Sequence, residues 1–169
     1  MAIISTDIQF RLSGGAANSD PNASLGGAKS STQITAASLH NLFDQVASAE
    51  SAAGDTEYRC FYVHNAHATL SWTSVVVWIQ TNTPASDTTA DIGLGSSAVN
   101  GTEQTVANES TAPTSVTFSA PATEGAALAI GTIPAGQHKA IWVRRTISAG
   151  AAANNLDNVV IRVKGDTAA

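Results

Sequence analysis

The sequence predicts an all-β protein: an antiparallel β-sandwich, immunoglobulin-like or jelly-roll-like, with one short helix and an extended N-terminal arm. Three observations carry that expectation. From Glu57 onward apolar residues recur at every second position, the side-chain period of a strand with one buried face. The candidate strands are short and punctuated by Gly, Pro, Asn and Ser, as in sandwiches built from tight turns. No internal repeat of fixed period runs through the chain, so a solenoid or propeller is not expected.

The elements follow in chain order. Ile8, Phe10 and Leu12 alternate with Gln9 and Arg11, a strand signal. The tract SGGAANSDPNASLGGAKSS that follows has almost no large apolar group. A loop of that length is unusual inside a domain and points to a functional or flexible segment. Residues 1–33 are therefore expected to form a strand and flexible arm, and 34–169 the sandwich domain. Within 36–49, Leu39, Leu42, Phe43 and Val46 make a stripe at helical spacing, with Thr35 or Ser38 to cap it and Gly54 to stop it.

Next, EYRCFYVHN puts Tyr58, Cys60 and Tyr62 on one face and Phe61 and Val63 on the other. The short NAHA connector suits a hairpin into TLSWTSVVVWIQT, which is rich in β-branched and aromatic residues. ADIGLG, EQTVAN, SVTFSA, ALAIGTI, HKAIWVRRTIS and NVVIRVKG are the remaining strand candidates. Alternation places Tyr58, Cys60, Val75, Val77, Ile141, Val143, Val159, Ile161 and Val163 in the core. Val76 and Trp78 are apolar too, so their strand is expected to be covered on both faces.

Composition narrows the function classes. Hydrophobic residues make up 43% of the chain and charged residues only 12%, about half the roughly 25% usual in soluble domains. A surface of Ala, Ser, Thr, Gly and Asn can lie against another protein without desolvating many charges. Eight scattered basic residues and a net charge of −5 do not make the basic patch that phosphate binding requires. The N-terminus lacks the charged and apolar regions of a signal peptide, and no apolar run approaches a membrane span. Folding in a bacterial cytosol is expected, with neither nucleic acid nor membrane as partner. Cys60, the single cysteine, reads as a buried inert thiol.

No catalytic constellation emerges, and no enzyme, cofactor or metal is expected. His64 and His67 are the one close histidine pair, and their spacing in a strand-turn does not aim both rings at one point. No G-x-S-x-G elbow occurs. GLGSS at 93–97 lacks the lysine and spacing of a phosphate loop. The carboxylates Asp44, Asp55, Glu57, Asp87 and Asp91 are dispersed, and DTTAD and DPN are thin versions of a calcium loop. Trp72, Trp78 and Trp142 read as core or interface residues, with a sugar-binding face as the alternative.

Three stretches, YRCFYVHNAHATLSWTSVVVWI, IGLGSSAVNGTEQTVANESTAPTSVTFSAPA and IPAGQHKAIWVRRTISAG, resemble small virion structural proteins of tailed bacteriophages. IQFRLSGGAANSDPNASLGGAKSST is similar to the N-terminus of the same group. The resemblance implies a β-sandwich carried in many copies on the virion. Its first expectation is a capsid decoration (cement) protein that self-associates and binds the major capsid protein or other virion proteins. The alternatives are a tail, neck or baseplate component, or a host-carbohydrate-binding module. Ile3, Ile4, Ile8, Phe10 and Leu12 are the expected partner contacts. Their strand, tethered by a long tract, would add to a neighbour's sheet; otherwise it completes its own sandwich.

Overall fold

A computed structural model describes residues 2–167. Among these residues nine strands run β1 (Ile8–Leu12), β2 (Gly26–Gly27), β3 (Asp55–Asn65), β4 (Trp72–Thr81), β5 (Thr88–Leu94), β6 (Glu103–Thr105), β7 (Leu128–Ile133), β8 (His138–Ile147) and β9 (Val160–Thr167). They form antiparallel sheets of order β1-β3-β8-β5 and β7-β4-β9, and the two-stranded pair β2-β6. The fold is an all-β sandwich.

Alternation explains the core. One face of the four-stranded sheet (Phe61, Val63, Ala90, Ile92, Ile141, Val143) meets Trp72, Val75, Val77, Ile79 and Ile133 of the three-stranded sheet. The opposite face presents Cys60, Tyr62, Ala140 and Trp142, also buried, to Leu25, Val106, Val116 and Phe118. That is why the centres of β3 (Cys60–Val63) and β8 (Ala140–Val143) are continuous apolar runs: both their faces are covered. Cys60, Val75, Val77, Ile141 and Val143 lie in the core as expected. Tyr58, Val159, Ile161 and Val163 are half-buried at its margin.

Two expectations are corrected. The stripe from Leu39 to Val46 does not form a helix; turns and bends occupy most of 36–43, 44–47 are irregular, and Leu39 is 81% exposed. Ala37 and His40 take positive φ, 59° and 55°, which right-handed helix cannot accommodate. The only α-helix among the described residues is α1 (Ser48–Ala53), where Glu50 reaches back to the Ala47 N–H at 2.6 Å and Gly54 ends the turn at φ 77°. Leu42 and Phe43 still pack on the core without helical support.

The second correction concerns the arm. β1 pairs with the chain's own β3, from Ile8 opposite Asn65 to Leu12 opposite Phe61. The polar tract after it is tied down. The Cys60 N–H donates to the Ser24 carbonyl (2.8 Å), Val106 N–H to Leu25 (3.0 Å) and Gly15 N–H to Ala28 (2.9 Å). Ser13, Ser24 and Ser30 are fully buried. Gly26, at φ 93°, lets β2 lie so close to β6 that a Cβ there would sit 1.8 Å from the Gln104 carbonyl oxygen. The tract, with 95–120, is the third layer of the molecule.

Candidate interaction surface

Backbone groups at a sheet edge must pair with something or remain open to another chain. The four-stranded sheet has both edges covered. Along β1, Ile34 N–H donates to Phe10, Leu12 N–H to Thr32 and Ser30 N–H to Leu12. Along β5, the Asn82 side-chain amide mimics a strand, donating to the Ala90 carbonyl (2.9 Å) and accepting from its N–H (3.0 Å). Ile92 and Ser119 then exchange a pair of backbone bonds.

The three-stranded sheet differs. Among the described residues, no strand pairs with the outer edge of β7 or of β9. β9 projects Arg162, Lys164 and Asp166, all exposed, the charged residues that discourage strand addition. β7, LAIGTI, has no charge, and Ala129, Gly131 and Thr132 are exposed along it. Among the described residues, it is the one open edge without a charged guard.

The expected contact residues lie elsewhere. Leu12 is 2% exposed in the core. Ile3, Ile8 and Phe10 are half-buried against the same core, and Ile4 is 60% exposed. Composition gave no signal for the β7 edge, because an edge is defined by who fails to pair with it.

The polar groups are mostly consumed by structure. Ser96 and Ser97 of the GLGSS turn close on the Glu103 carboxylate, with N–H and hydroxyl donors at 2.8–3.2 Å. The turn does hold an anion, and the anion belongs to its own chain. Burial alone would raise the Glu103 pKa, but these donors and the Gln104 amide outweigh it and hold the carboxyl down at about 2. Asp91 pairs with Arg144 at 2.7 Å across the β5–β8 register.

Arg59 and Glu57 are fully buried on β3, which their alternation with Tyr58 and Cys60 does not reveal. Arg59 pairs with Glu109 and, at 3.8 Å, Asp44; Arg145 pairs with Glu57 and, at 3.5 Å, Asp44. Both guanidinia stack on Phe43, 5.6 and 4.8 Å from its centroid. This network anchors the 36–47 segment.

His64 and His67 do not share a site. His67 Nδ1 accepts from the Thr69 and Leu70 N–H groups, whereas His64 lies opposite His138, their centroids 6.5 Å apart. Burial, then the nearby Lys29 and His64, pushes the His138 pKa down to about 4. Burial pushes the Cys60 thiol up, which leaves it a poor nucleophile. Trp72, Trp78 and Trp142 are 5%, 6% and 0% exposed, so none offers a ring face to a sugar.

A shallow depression of about 450 Å³ lies among Gly14, Gly15, Leu25, Gly26, Gly27 and Val106, and Thr105 supplies the one polar side chain of its lining. Among the described residues, no helix is long and apolar enough to cross a membrane. No family model matches the sequence, and neither a curated protein nor a solved structure matches it.

Proposed function

We propose that this chain is a structural protein of a tailed-bacteriophage virion, a capsid decoration protein that binds major capsid subunits in many copies and acts without catalysis. The observation that supports this reading is the uncharged open edge of β7. A strand from a neighbouring subunit added there gains main-chain hydrogen bonds without needing particular side chains. Repetition over a lattice turns modest contacts into firm attachment. The weakly charged surface adds to this, since few ions are desolvated on contact. On this reading the partner contact is at β7 rather than at β1, which pairs with β3 of its own sheet.

The test is co-sedimentation of purified protein with heads assembled without it, followed by electron microscopy of the decorated particles. Many copies at regular positions on the head are expected. Copies confined to a tail or neck ring would support the alternative virion position. No association with any particle would overturn the proposal.

A further inference from the structure

Three carboxylates meet where α1 gives way to β3. Glu50 ends the first turn of α1, and Asp55 and Glu57 project from the same side of β3, two residues apart. One carboxylate oxygen from each lies within 4.8 Å of the others. Each residue also commits an oxygen to the protein. Glu50 Oε2 accepts from the Ala47 N–H, Asp55 Oδ1 from the Thr56 N–H, and Glu57 Oε2 pairs with Arg145. An acidic cluster alone would mean little. Here Glu57 is 0% exposed, and its second oxygen, Oε1, is buried with no hydrogen-bond partner. A buried carboxylate oxygen left unpaired is costly and calls for a donor or a cation.

We propose that Glu50, Asp55 and Glu57 form a calcium-binding site in which Glu57 bridges the ion through Oε1 and Arg145 through Oε2. Size and chemistry select the ion. Oxygens on one Ca²⁺ at roughly 2.3–2.6 Å can stand up to about 5 Å apart, whereas Mg²⁺, at roughly 2.0–2.1 Å, demands a tighter octahedron. The set is all oxygen, with neither the nitrogen nor the sulfur that transition metals favour. Charge agrees: the carboxylates of Glu50, Asp55, Glu57, Asp44 and Glu109 outnumber the two guanidinia, Arg59 and Arg145, that lie among them. The neighbouring trio Asp44, Glu57 and Glu109 is also within 4.8 Å, but there Arg59 and Arg145 already lie among the carboxylates. Binding would fasten α1 to the start of β3, next to the 148–151 turn that Ser51 holds through its carbonyl and hydroxyl.

The experiment uses the full chain, stripped with a chelator and titrated with CaCl₂ or MgCl₂ by calorimetry, with melting temperature followed in parallel. Near a hundredfold excess over Kd, calcium should raise the melting temperature by roughly 5–10 °C, and magnesium should do so much less. Asp55→Asn and Glu50→Gln, both at half-buried positions, should melt near the wild-type stripped value and lose the calcium shift. Glu57→Gln also unpairs Arg145, so the other two variants carry the test. No heat and no shift at about 10 mM calcium, well above the Kd of the weakest calcium modules, would overturn the proposal. So would variants that keep wild-type affinity.

Discussion

The Tyr62 hydroxyl joins two backbones: it donates to the Gly27 carbonyl at 2.5 Å and accepts from the Glu103 N–H at 2.9 Å. Tyr62 is fully buried on β3, Gly27 lies on β2 and Glu103 on β6. One phenol thus fastens the outer layer to the four-stranded sheet. Tyr62→Phe keeps the ring but strands a buried N–H and a carbonyl, costing about 1–3 kcal/mol. Hydrogen exchange should quicken in residues 26–27 and 103–105 while β4 stays protected. Uniform protection would show that the layer is held by packing alone.

Acid should weaken the fold in two windows. His138 titrates at about 4 in the native state against 6.5 as a free side chain. The unfolded chain takes up that proton first, so stability is whole above pH 6.5 and falls as pH drops toward 4. Glu103, at about 2 against 4.5, contributes stability present above pH 4.5 and lost as pH falls toward 2. Melting curves across pH 7 to 2 should show both losses. His138→Gln should flatten the upper one and Glu103→Gln the lower. If His138→Gln leaves the upper slope unchanged, another group is responsible.

Leu12 is a test of where β1 belongs. It is 2% exposed and opposite Phe61, so Leu12→Ala should destabilise the isolated protein by about 2–5 kcal/mol in denaturant titration. A change within error of zero would mean that β1 leaves its sheet in solution.

The β7 edge is probed by charge. Ala129 and Thr132 are exposed, so Ala129→Lys with Thr132→Lys should leave the melting temperature within a degree or two, because surface changes rarely exceed about 0.5 kcal/mol. Lysines on an open edge oppose strand addition, and co-sedimentation with heads should be lost. Full binding by the double variant would place the contact on another surface.

Sequence alone determined the sheet-forming character of the chain. Period-two alternation marked 57–65, 69–81 and 138–148 as strands, close to the Asp55–Asn65, Trp72–Thr81 and His138–Ile147 that form, and placed Cys60, Val75, Val77, Ile141 and Val143 inside, because burial of alternate side chains is a local property of an extended chain. The tertiary structure decided what depends on partners distant in sequence. Strand pairing is made by backbone groups that every residue carries, so nothing in IQFRL distinguishes β3 of its own chain from a neighbour's edge. The glycine and serine tract at 13–31 looked free because its bonds are also backbone bonds, to Cys60 and Val106. Leu39, Leu42, Phe43 and Val46 kept helical spacing without a helix, since Phe43 gains more under Arg59 and Arg145 than a short isolated helix gains from its own hydrogen bonds. Glu57 and Arg59 could be buried only because Arg145, Asp44 and Glu109 arrive from elsewhere in the chain to balance their charge.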